Sequence, residues 1–267
     1  ATDLTVPAAA NLVVVNGLTL DGVRLTVNNK VNILTRIRFI GTQTLGGTGE
    51  VFFVDLTANS QLVAEGGTPA APVVLTIGPD ILVHGSQSGQ LVAATASDSM
   101  VNRGTIRADA PGTAIYISSN LANEGTIEAV AGTTVSISRG SNSGRLRVAG
   151  GTMVIGAPWV NTGTLEVDGG ALTLSGAVDT DLAPEFGPGG GTFTVSGTVE
   201  NAGKTLGANG PGRLVLANGT TVRGGTIANT GGAALVMEGP TGGGTWTFDG
   251  VTLATDLTVP AAANLVV

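Results

Sequence analysis

Between residues 101 and 170 the chain says nearly the same thing four times: VNRGTIRADA, LANEGTIEAV, SNSGRLRVAG and VNTGTLEVDG. The shared pattern is Asn-x-Gly-[Thr/Arg]-[Ile/Leu]. Its asparagines are Asn102, Asn123, Asn142 and Asn161, at steps of 21, 19 and 19 residues. The apolar residue that follows forms a column, Ile106, Ile127, Leu146 and Leu165, which skips a weak position near Phe186 and resumes at Leu206, Ile227 and Trp246. Between these lies a second column of alternating pairs: Ile115/Ile117, Val135/Ile137, Met153/Ile155, Leu172/Leu174, Phe193/Val195, Leu214/Leu216 and Leu235/Met237. Alternation with a period of two marks a strand with one face inward, and the Gly, Pro, Asn and Asp between pairs mark turns. Two short strands recurring every twenty or so residues describe the coil of a solenoid.

The expected fold is therefore all-β, a right-handed parallel β-helix. Coils about 4.8 Å apart give a rise of about 58 Å over twelve turns. The composition agrees. With 43 glycines, 3% aromatic and 12% charged residues, the 267-residue chain must bury many small apolar side chains in thin layers rather than build around large rings.

A longer period encloses the short one. Residues 1–14, ATDLTVPAAANLVV, recur unchanged at 254–267, so the sequence repeats after 253 residues. We read 1–253 as one tandem unit of about twelve coils and 254–267 as the start of the next identical unit. Regular coils are expected over 101–253. Over 30–100 the spacing loosens, and loops are expected to leave the stack there and again in the Gly/Pro-rich stretch 178–191.

Stacking makes the outward residues test the register. The residue after the apolar one runs Arg107, Glu128, Arg147, Glu166, a column of alternating sign in which neighbours would attract. The asparagine column has two readings: amides at turns that bond one another from coil to coil, or independent exposed turns. Gly104, Gly125, Gly144 and Gly163 fit either a positive φ or the close approach of a neighbouring coil.

The cadence N-x-GTI…GTTVSI, clearest over 101–250, resembles the repetitive regions of large bacterial surface proteins with parallel β-helix folds, filamentous haemagglutinin-like and autotransporter-type adhesins among them. That resemblance implies an exported, extracellular, structural or adhesive role and brings no catalytic residues. It points to a subunit of a bacterial fibre or surface filament. The alternative is the stalk of an adhesin that binds glycan or another surface, and a polysaccharide-processing enzyme stands further back.

Little in the sequence suggests chemistry. There is no cysteine, and His84 is the single histidine, so no triad can form around a second one. Acidic residues are scattered, and no enzyme activity or cofactor is expected. Asp179, Asp181 and Glu185 could lend oxygens to Ca²⁺, though a solvated loop explains them as well. The net charge is −7 for the chain and −6 for the unit, since the repeated tail adds only Asp256, which argues against nucleic acid as partner. No apolar run is long enough to span a membrane. The expected partners are further copies of the same repeat, end to end, or sideways through a basic group of Arg24, Lys30, Arg36 and Arg38, which could instead face a polysaccharide. Trp246 is expected in the core, and Trp159 at a coil corner. Outward threonines such as Thr105, Thr126, Thr164, Thr226 and Thr245 raise ice binding, but the Arg/Glu column interrupts that face.

Overall fold

The computed structural model describes residues 2–28, 33–54, 60–178, 182–239 and 243–267. The chain is a β-solenoid of about twelve turns. Its strands pair in parallel with those one coil away, as the 19- to 21-residue cadence requires.

Each coil has three faces, one more than the two apolar columns suggest. Face A holds short strands such as Val74–Ile77, Ser99–Asn102 and Trp159–Asn161. Face B holds Thr105–Ala108, Thr126–Val130, Arg145–Ala149 and Thr164–Val167. Face C holds Thr152–Ile155, Ala171–Ser175 and Thr192–Ser196. Ala114–Asn123 and Thr134–Asn142 run from face C around the corner on to face A. The third face escapes a search for apolar pairs because its strands point one apolar residue inward (Met100, Leu121, Trp159) and then an asparagine.

The face B column is in register over seven coils: Leu25, Val51, Val83, Ile106, Ile127, Leu146 and Leu165. Every one of these side chains is buried. Burying a side chain of this kind contributes roughly 1.5–3 kcal/mol, so a one-residue slip, which would turn the whole set outward, is strongly disfavoured. The face C column is likewise in register from Ile115 to Leu235.

Two expectations need correcting. Trp246 is buried, but not in the face B column: Ile227 stacks on Leu253, and Trp246 stacks on Leu265. The coil between Ile227 and Leu253 has 26 residues, and a step of 19 lands by coincidence on another inward apolar residue. Over 33–100, where described, the strands stay in the stack, since Gln43–Val54 pairs with Leu18–Asn28 on one side and Asp80–Gly85 on the other, while the exposed turn at 66–72 leaves it. The coils are longer there, 26 residues from Leu25 to Val51 and 32 from Val51 to Val83. The described residues 182–191, by contrast, do not protrude. Glu185–Phe186 pairs with Glu166–Val167 below, and Leu182 bridges Leu206 above. Leu182 and Phe186 are both buried.

The glycines of the cadence settle in favour of close approach. None of the four has a positive φ. A Cβ on Gly144 would lie 2.2 Å from the carbonyl oxygen of Gly125, and one on Gly163 2.1 Å from that of Gly144.

Candidate functional site

Two polar columns run up the regular coils, one inside and one outside. The inner one is the asparagine column. Asn102, Asn123 and Asn142 are no more than 1% exposed and Asn161 8%, at the inward end of face A just before the chain turns on to face B. Asn102 Nδ2 donates to Asn123 Oδ1 at 2.7 Å, Asn123 Nδ2 to Asn142 Oδ1 at 2.6 Å, and Asn142 Nδ2 to Asn161 Oδ1 at 2.7 Å. Of the two readings, the coil-to-coil ladder is the one found. Each amide also donates to nearby carbonyls, as Asn123 does to Gly125 at 3.2 Å and Arg145 at 3.3 Å. The backbone joins in: the carbonyl of Asn123 accepts from the amides of Ser143 and Gly144. Every rung so holds a turn of the next coil.

Below Asn102 the same column is aliphatic, Ile77 on Leu45 on Leu18. Asn102 Oδ1 therefore has no donor among the described residues. The sequence cadence missed a further member. Asn201 is fully buried on face A and donates to the carbonyls of Gly224 and Thr226. Its signal, NAGKTL, carries one extra residue before the apolar position and so falls outside the pattern.

The outer column is the charge ladder on face B. Arg107 stands opposite Glu128, Glu128 opposite Arg147, and Arg147 opposite Glu166. Arg107 Nε is 3.2 Å from Glu128 Oε2, Arg147 closes a tight ion pair on the other Glu128 oxygen, and Arg147 Nε is 3.9 Å from Glu166. A second pair, Arg145 with Glu166, reinforces the top rung, and its hydrogen bond holds the Glu166 carboxyl below the usual carboxylate range against the opposing effect of burial. Arg103 and Glu124, the variable residues of the cadence, form a further exposed pair at 2.8 Å. Alternation ends at Glu185, which sits opposite Glu166 with the same sign. Residues 161–166 with Ala183 and Glu185 line an open trough of about 510 Å³ there. Asp179 and Asp181, the other candidate calcium ligands, lie outside the described residues, and no group of three metal-binding side chains occurs among the described ones.

His84 continues the outer strip downward. Its Nδ1 is 2.9 Å from Asp109 Oδ2, its ring meets Phe52 edge-on at 4.9 Å, and its Nε2 lies 3.4 Å from Glu50, out of line for a hydrogen bond. The histidine is thus packed into the ladder rather than left at an edge. Burial would raise the Glu50 pKa, but the hydrogen bond from Arg24 and the closeness of His84 outweigh it and hold the carboxyl low.

The basic group proves largely neutralised from within. Arg24 pairs with Glu50 at 2.8 Å and lies 4.3 Å over the Phe52 ring, Arg38 pairs with Glu65, and Arg36 donates to Gln61 at 3.1 Å. Lys30 lies outside the described residues. Trp159 is 2% exposed, inside the stack.

Both copies of the repeated segment are built into coils, in different seats. Leu4–Val6 pairs with Leu25–Val27 on face B, and Asn11–Val14 with Arg36–Phe39 on face C. In the second copy Thr258 bridges Val236 on face C, and Asn264–Val266 pairs with Thr245–Thr247 beside face A. Both copies stack on one side only, and register is weakly specified for a strand whose pattern fits more than one face. No family model, no curated protein and no solved structure matches the chain.

Proposed function

We propose that the chain is a structural segment of a continuous β-solenoid fibre, in which tandem units stack end to end outside a bacterial cell. One observation carries this reading: the junction between units, Leu253 to Ala254, falls within a paired coil rather than after the last one. Thr252–Leu253 pairs with Thr226–Ile227, and the residues after the junction go on pairing with the coil beneath. Beads on a string would place a cap or a flexible linker at that point. Outer coils present unpaired backbone groups, which template further strands unless covered, and a following unit covers them. The two ladders suit a rod, since each fixes one coil on the next and neither converges on a small-molecule centre. The extracellular setting is what the resemblance of the cadence to bacterial surface proteins implies. Within such a fibre the repeated segment keeps one seat, so one of its two placements is lost on assembly.

Electron microscopy and fibre diffraction of the native array test the reading. Rods of uniform width with a meridional spacing near 4.8 Å and an axial repeat of about 58 Å are expected. Separate globules joined by variable gaps would refute it. The adhesin alternative predicts that the purified chain binds immobilised glycans without forming rods.

A further inference from the structure

The outward side of face C differs from the rest of the surface. On the face C portions of the six strands between Glu65 and Arg213, no outward position carries a charge, and Arg139 of Thr134–Asn142 lies past the corner, opposite Asn120 on face A. The central column runs Gln90, Tyr116, Ser136, Val154, Thr173 and Thr194, coil upon coil. From Thr134 upward these pairings contain no bulge, so the surface is a regular lattice of small and β-branched side chains. The hydroxyls of Ser136, Thr173 and Thr194 have no partner among the described residues. By contrast face B carries the charge ladder, and face A carries Arg223 with Glu200, and Asp249.

We propose that this neutral stretch of face C is a lateral interface with a second copy of the chain, two solenoids lying side by side with their faces in contact. It rests on the fibre reading and adds where fibres meet. Charge selects the occupant. Copies carrying −7 repel one another, and face C is where two can approach with the fewest like charges opposed. Facing sheets of small β-branched residues interdigitate in dry contact, and threonine hydroxyls can bond across the seam. A carbohydrate would want aromatic platforms, but Tyr116 is the one exposed aromatic among the described residues. Val154 interrupts the hydroxyl lattice that an ice surface would need. Six strands of about five residues cover roughly 450 Å², against the ~800 Å² per partner of a stable pair. One unit therefore associates weakly, and a longer array gains from repetition.

The test is sedimentation equilibrium of the 267-residue chain, from micromolar concentration to its solubility limit, at low and high salt. Association is expected to strengthen with salt, because screening relieves repulsion between like-charged copies. A contact through Arg24, Arg36 and Arg38 would weaken instead. The double substitution Thr173→Lys/Thr194→Lys should lower the association constant by about 100-fold or more, the scale of like charges opposed across an interface. Asn120→Lys, on face A, should leave it unchanged, with circular dichroism confirming the fold of both variants. Elongated rods that persist in the double variant without pairing sideways would support the proposal, whereas failure of every form to elongate would refute the fibre reading alone. A wild-type chain that stays laterally single at all concentrations, an unchanged constant in the double variant, or retention on an insoluble polysaccharide through face C without self-association would each overturn it.

Discussion

The asparagine ladder makes a quantitative prediction, because its rungs can be counted by the polar atoms they leave stranded. Among the four linked rungs, Asn102 to Asn161, one oxygen lacks a donor in the native chain, Asn102 Oδ1. Asn123→Leu removes the donor to Asn142 Oδ1, so two oxygens are then stranded, Asn102 Oδ1 and Asn142 Oδ1. Each stranded buried acceptor costs about 1–3 kcal/mol. Asn102→Leu removes the oxygen already stranded and strands Asn123 Oδ1 in its place, leaving the number at one. It also extends the aliphatic column of Leu18, Leu45 and Ile77 by one coil. The double variant again leaves one, Asn142 Oδ1. The double-mutant cycle should thus return a favourable coupling of about 1–3 kcal/mol, with the overpacking of each leucine cancelling in the comparison. Asn123→Leu alone should be the least stable of the three. Urea unfolding followed by far-UV circular dichroism gives the free energies, and amide exchange across residues 99–149 shows where they act. Additive effects, or Asn102→Leu costing as much as Asn123→Leu, would refute the directional ladder.

Gly144→Ala should destabilise by about 2 kcal/mol or more, since its Cβ would meet the Gly125 carbonyl at 2.2 Å and both atoms belong to stacked backbone. Gly112→Ala, with open space around its Cβ but a φ of +81°, should cost about 1–2 kcal/mol; thermal melts that rank the pair the other way would count against tight coil contact. Acid should loosen the fold in a defined window. Hydrogen bonds from Arg38 and Arg145 hold Glu65 and Glu166 below the usual carboxylate range. Their stabilisation is complete above the unfolded value of about 4.3 and is lost as the pH falls through the depressed folded values. The melting temperature should be level near neutrality and drop below about pH 4, and Glu65→Gln/Glu166→Gln should flatten the drop; an identical acid profile would argue that these pairs do not form.

Much of this was legible in the letters, where geometry repeats without insertion. The face C pairs were placed coil by coil from Ile115 to Leu235, because two inward residues separated by one are a strong strand signal and few other positions compete. The charge ladder was legible for the same reason, as Arg107, Glu128, Arg147 and Glu166 occupy equivalent places, one after each apolar residue, in coils of nearly equal length. Spacing failed where coils changed length. Trp246 was drawn into the wrong column because an inward apolar residue looks the same on any face. The richness of 178–191 in Gly and Pro disguised a coil that buries Leu182 and Phe186. The asparagines were the hardest to read. A buried amide is costly unless bonded, and the amide-to-amide bonds come from the coils on either side, so the local sequence does not distinguish an inward Asn from an exposed one.

The amides of that inner column all face the same way along the chain. Turning one over would set oxygen against oxygen on one side and N–H against N–H on the other, so the orientation is held or reversed by all four together. A single peptide group carries about 3.5 D, and four aligned side-chain amides add along the long direction of the molecule. An assembly threaded by such a file is electrically polar, with a top and a bottom that a counter-ion, or a neighbour lying alongside, could tell apart.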